Sequence, residues 1–148
     1  IYPTVGGRPV ASAALFLALA VVLVMPATLH LTAALQTIIL MATAPDRGGV
    51  SETVQVFAYA TAPCIVVGVP IPAIQLAGAV YGAVLLVVGM SVVHRTSIVK
   101  TVPLVAVPAA IVFGYGFRGF GAADAVLTDL GYGSLLDAVR LAAVAAGF

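Results

Sequence analysis

Two histidines, one cysteine and a few tyrosines and glutamines are the chemically capable side chains in the long apolar runs of this chain. They are His30, His94, Cys64, Tyr59, Tyr81, Gln36, Gln55 and Gln75. His30 and His94 could in principle hold a haem or a metal ion between them. An ordinary metal site wants more ligands than two histidines and a distant Cys64 supply. His94 adjoins Arg95 at an expected helix end and reads as a solvated loop residue. His30 follows Pro26 and reads as a partner for a carbonyl that the proline frees. Cys64 sits in an apolar run, where a thiol is inert, and one thiol builds no disulfide within the chain. No cofactor and no metal are therefore expected.

Other catalytic signatures are missing as well. The sequence has no Gly-x-Ser-x-Gly elbow, no phosphate-binding Gly-x-x-x-x-Gly-Lys loop and no His-Glu-x-x-His. The glycine-rich "GYGFRG" lacks the strand and lysine of a nucleotide loop. Ionisable residues at membrane depth are costly and persist for function. None of the spans outlined below carries an Asp, Glu, Lys or Arg at that depth. The expectation is a protein that is not an enzyme. A passive path lined by Thr28, Thr32, Gln36 and Tyr59 is the alternative, since Thr28, Thr32 and Gln36 recur at intervals of four on one helix face. Polar residues so placed more often join helices to one another.

Composition says what must position these residues. Of 148 residues, 63% are hydrophobic and 7% are charged. A soluble domain carries roughly 25% charged residues, so the bilayer is the natural solvent of this chain. A net charge of +1, with its cations scattered, gives no nucleic-acid footprint. The opening "IYPTVGGRPV" has neither an initiator Met nor the basic start and cleavage site of a signal peptide. It reads as a chain that begins partway through a longer product.

Charges divide the sequence into helices, because backbone amides in hydrocarbon must be satisfied internally. The run 10–44 reads as one long span kinked at Pro26, with a hairpin at Pro26 as the alternative. A loop at 46–52 follows, with Ser51 as N-cap of the next span, 52–69, which holds Pro63. "GVPIPA" makes a corner. The span 73–93 follows, where Gly78 and Gly82, four apart, allow close helix contact. After "HRTSIVK" comes a span at 98–117 that ends in a Gly-aromatic stretch. Tyr115, Phe117 and Phe120 there suit the lipid–water interface. The tail 121–148 reads as a short amphipathic helix, lying on the membrane or packed on a neighbour, with "SLLD" as its capping box and Leu136, Val139 and Ala143 on one face. The fold class is all-α, a polytopic transmembrane bundle with about four spans and this C-terminal helix. The short loops carry Arg47, Arg95 and Lys100 on one side against Arg8 and Arg118 on the other. The loops 46–52 and 94–100 are thus expected in the cytoplasm and the tail outside.

In "VFAYATAP", Tyr59 lies one turn before Pro63. The proline ring displaces the carbonyl of residue 59, and Thr61 or a neighbouring helix would satisfy it. Tyr59 is expected to face the bundle interior, with a Thr or Gln of the first span as its partner.

The segment from Ser51 to Ser97 resembles the Yip family of Rab-interacting multi-span membrane proteins. The resemblance is carried by "SETVQVFAYATAP", "GVPIPA" and "LLVVGMSVVHRTS". It falls on Glu52, Thr53, Ala58, Tyr59, Ala60, Pro63, Gly89, His94 and Ser97. It covers about a third of the chain. It implies one membrane domain over 1–148, a five-span bundle of which this chain would hold the second to fifth spans, and a cytoplasmic N-terminus. The Ala/Val-rich, Lys-poor chain looks like a prokaryotic, archaeal-type member. No GTPase-binding segment is identified, so no GTPase partner is expected.

The functional expectation is an integral membrane scaffold or interaction protein of a prokaryotic cell membrane. One form of it is an accessory subunit of a larger complex. Its partners would be the lipid bilayer and other membrane proteins or further copies of itself. The alternative is a small-molecule, ion or lipid transporter with a polar path near Tyr59 and Gln36.

Overall fold

The structure, a computed structural model, describes residues 7–42 and 48–145. Residues 46 and 47 of the expected loop and the last three of the tail lie outside them. The described residues form helices joined by short turns, with no strand among them. Four helices are long and apolar enough to cross a membrane: α1 (Pro9–Met41), α2 (Val50–Gly68), α3 (Pro72–Val93) and α4 (Ile98–Gly116). Two shorter ones follow, α5 (Gly119–Asp129) and α6 (Leu135–Ala145).

Proline shapes three of the four long helices. α1 runs unbroken through Pro26, so the hairpin alternative does not occur. Its helix widens into a π-helical turn at Ala20–Val24, just before the proline, where the Met25 N–H reaches the Ala20 carbonyl. Extra-wide turns of this kind absorb a break in the i to i−4 ladder. α2 is α-helical over Val50–Thr61 and then tightens to a 3₁₀-helix over Ala62–Gly68, beginning one residue before Pro63. In α4, Pro103 and Pro108 lie inside the α-helical part, and the last seven residues, Ala110–Gly116, are π-helical.

α3 is the hub. It packs along both parts of α2, along α4 and along α5, while the C-terminal half of α1 packs on α2 and α4. The buried positions of α2 are Thr53, Val56, Phe57, Ala60 and Cys64. That spacing of three and four residues is one helix face. It meets Leu86 and Met90 of α3 in a core that also takes Ala33, Val105 and Phe113. The tail forms two helices where one was expected, lying on the membrane or packed on a neighbour. α5 packs firmly on α3 and carries buried Gly119 and Ala122, so it belongs to the bundle. α6 touches only α5. The Asp137 N–H donates to Ser134 Oγ at 3.2 Å, and the Ser134 hydroxyl donates to the Asp137 carboxylate at 2.8 Å. The side chain of Leu136 lies outside the described ones, and Val139 is exposed. At the end of α4, Tyr115 is exposed and meets Phe120 edge to face at 5.3 Å.

Gly78 and Gly82 face α2 at closest approach. A methyl group on Gly82 would stand 2.8 Å from the Ala60 carbonyl oxygen and would also strike the Phe113 ring. One on Gly78 would stand 2.8 Å from Val66 Cγ2 and 3.3 Å from the Pro63 carbonyl oxygen. Such clashes with backbone force helices apart, whereas nothing lies within 4 Å of a methyl on Gly121 of α5. Gly82→Ala should therefore destabilise the bundle by about 1–3 kcal/mol. Gly121→Ala should stabilise it by about 0.5–1 kcal/mol through helix propensity. Thermal unfolding of the two variants in one detergent checks the opposite signs.

Candidate functional site

The buried polar side chains, Ser12 near the start of α1 apart, gather at one end of the bundle. Thr37 lies near the end of α1, Thr53 in the first turn of α2, His94 just past α3 and Thr101 in the first turn of α4. Gln36 precedes Thr37. All five are buried, Gln36 and Thr53 at 0% exposure and His94 at 1%.

Thr53 is the shared member. Its hydroxyl donates to the Gly49 carbonyl at 3.1 Å, lies 3.2 Å from His94 Nε2 and stands 3.4 Å from Thr37 Oγ1, whose own proton goes to the Ala33 carbonyl at 2.8 Å. One hydroxyl has one proton and two lone pairs. The tautomer with its proton on Nε2 lets the ring donate into Thr53 while Thr53 keeps its bond to Gly49. The end of α3 is thereby tied to α2 through one oxygen, with Thr37 of α1 beside it. Thr101 instead bonds the Ser97 carbonyl at 3.0 Å, which makes Ser97 the start of α4, in extended backbone at ψ 145°.

His94 is thus not the solvated loop residue expected of it. The α3 helix ends there with a left-handed residue. Arg95 has φ 48°, the Thr96 N–H donates to the Ser91 carbonyl and the Arg95 N–H to the Val92 carbonyl. This reversal turns the chain outward after His94 and leaves the imidazole inside. Ser51 is not the N-cap of α2 either. Gly49 occupies that place in extended backbone, and Glu52 falls in the first turn. With φ −76° and ψ 179°, Gly49 puts its carbonyl in reach of both the N–H and the hydroxyl of Thr53.

Gln36 has the opposite character. Both atoms of its carboxamide are buried without a hydrogen-bond partner among the described residues. Thr28 and Thr32, on the same face, do not point across to another helix. Thr28 Oγ1 donates to the Val24 and Met25 carbonyls, and Thr32 Oγ1 to the Thr28 carbonyl. His30 is exposed, and its Nδ1 lies 2.7 Å from the Pro26 carbonyl, not from one the proline frees. Among the described residues no three His, Cys, Asp or Glu side chains form a cluster.

Tyr59 corrects the expectation most plainly. It is 76% exposed on the outer surface of the chain. The buried stripe of α2 runs through Val56, Phe57, Ala60 and Cys64, and residue 59 falls to one side of it. Its carbonyl accepts the Ala62 N–H through the 3₁₀ turn, while Thr61 Oγ1 donates to the Ala58 carbonyl. Tyr59 and Gln36 therefore share no path. Gln75 is a residue the sequence reading left without a role. Its Nε2 donates to the Val67 and Val69 carbonyls at 3.0 and 2.9 Å, binding the corner that Pro70 and Pro72 create. A glutamine three residues past a Pro-x-Pro corner is the signal that would have found it.

The Yip1 domain family model matches residues 2–118 of the chain. This chain belongs to the Yip1 domain family. The match takes in α1 to α4, and so extends well beyond the third of the chain that carries the motif resemblance. The Thr53–His94 link joins two residues inside the matched stretch that the sequence separates by 41 positions. No curated protein and no solved structure shows a match to the chain.

Two stability measurements read this site. His94→Leu removes the partner of a buried hydroxyl and should destabilise the bundle by about 1–3 kcal/mol, whereas Gln36→Leu removes an unpartnered buried amide and should stabilise it by a similar amount. Unfolding midpoints of the two variants check the contrast. Arg95→Gly relieves a left-handed backbone and should add about 1 kcal/mol, measured in the same way.

Proposed function

We propose that this Yip1-domain protein is a non-catalytic scaffold or interaction protein of a prokaryotic cell membrane, in one form an accessory subunit of a larger complex. The supporting observation is how its polar groups are used. Thr53, His94 and Gln75 hold helices and a corner, and Glu52 and Lys100, the charged residues of the four spans, both stand in first turns. The apolar surface faces outward. The largest share of it on any one helix is on α1, whose stretch from Pro9 to Val24 buries only Ser12. The charge count favours the loops at 46–52 and 94–100 on the cytoplasmic side and the tail outside.

The test is purification of the full chain from its own membranes in mild detergent. The expected result is stoichiometric association with a membrane protein, another copy included. A lone monomer overturns the reading. So does solute flux into proteoliposomes that Gln36→Leu abolishes.

A further inference from the structure

Tyrosine in membrane proteins concentrates at the lipid–water interface, where its hydroxyl meets water. Tyr115, the penultimate residue of α4, conforms. Tyr59 and Tyr81 do not. Tyr59 is the tenth of 19 residues in α2, and Tyr81 the tenth of 22 in α3. Each therefore stands roughly 14 Å from its helix start, near the middle of a span about 30 Å long. They also stand at nearly one level. Gly82 meets the Ala60 carbonyl, so the neighbouring residues 81 and 59 differ in depth by about 3 Å.

Both side chains point away from the bundle, 76% and 58% exposed. Neither hydroxyl has a hydrogen-bond partner among the described residues. Lipid tails offer no acceptor, and a hydroxyl in hydrocarbon without a partner costs several kcal/mol. The two phenols flank one feature. A shallow apolar groove of about 230 Å3 lies between α2 and α3, lined by Val56, Tyr59, Ala60, Leu85, Val88 and Gly89. Tyr81 shares the α3 face of Leu85 and Val88, four and seven residues on. Ala60 and Gly89 keep the floor low enough for a helix to approach closely.

We infer that this face, with Tyr59 and Tyr81 at its rim, seats a second copy of the same chain. The inference rests on the reading of the protein as an interaction protein and names the partner. Two copies inserted the same way are related by an axis along the membrane normal, and rotation about that axis leaves depth unchanged. A second copy therefore brings its own phenols to the level where these two lack partners. A phenol both donates and accepts, so the four hydroxyls satisfy one another without any further polar residue.

The experiment uses the full chain in liposomes of bacterial phospholipid. Fluorescent-protein fusions report association by energy transfer. The double variant Tyr59→Phe/Tyr81→Phe keeps the rings and loses the hydroxyls, and should weaken association on the order of tenfold. In a Cys64→Ala background, Tyr59→Cys and Tyr81→Cys should each give oxidative cross-links between copies, and Val107→Cys, exposed on α4, should give none. A monomer at all protein-to-lipid ratios overturns the inference. So does a dimer that cross-links at residue 107 and not at 59 or 81, or one indifferent to the double Phe change. A monomer that captures a different membrane protein overturns self-association alone and leaves the interaction reading standing.

Discussion

A peptide carbonyl in hydrocarbon has no water to turn to when its helical partner is removed. Nine prolines in 148 residues make this the governing constraint of the chain. Each proline inside a long helix deletes one donor and pushes one carbonyl aside. The response is local and differs from site to site. α1 widens into a π-helical turn before Pro26, α2 narrows to 3₁₀ around Pro63, and α4 widens again after Pro108. These changes keep the backbone paired. Each such segment also turns the residues after it relative to the course of a regular α-helix.

The same constraint extends to side chains. Thr28, Thr32, Thr61 and Thr128 each return their hydroxyl to a carbonyl of their own helix three or four residues back. Such bonds cost no tertiary structure and carry none. The cross-helix bond is that of Thr53 with His94, at one end of the bundle, with Thr37 beside it. Hydrogen bonds there hold helix ends in register, while the middle of α2 and α3 is held by contact of backbone with backbone over Gly78 and Gly82. A bundle with this division is stiff at its centre and tied at one rim, which suits a body that presents an outer surface to other molecules of the membrane.

Much of the architecture was legible in the sequence. Charge-free runs bounded by Pro, Gly and charged residues outlined the helices, since apolar length and the need for internal hydrogen bonds decide what can cross a bilayer. The Gly78/Gly82 spacing pointed to a close helix contact along α3, without naming the partner helix. The errors concerned direction. Tyr59 was expected inside because a buried hydroxyl beside a proline gap looks like a site, yet the stripe 53, 56, 57, 60, 64 was already present in the sequence and excludes residue 59. His94 was expected outside because it adjoins Arg95, yet a left-handed Arg95 separates the two neighbours onto opposite sides. The tail was left between the membrane surface and a neighbouring helix, and Gly119 and Ala122 are small enough for α5 to lie against α3.

By itself, then, the sequence determined that the chain is a bundle of membrane-crossing helices, where those helices begin and end, and that it carries the Yip1 pattern. These follow from local physics: hydropathy, helix breaking by proline, and the cost of unpaired amides. Only the tertiary structure decided which polar groups meet. Thr53 and His94 are 41 residues apart, and whether they bond depends on how α2 and α3 pack and on the backbone turn after His94. The direction in which Tyr59, Tyr81 and Gln36 point is likewise a property of helix rotation. In a chain this uniformly apolar, periodicity fixes rotation only weakly, because lipid accepts nearly the same side chains as the core.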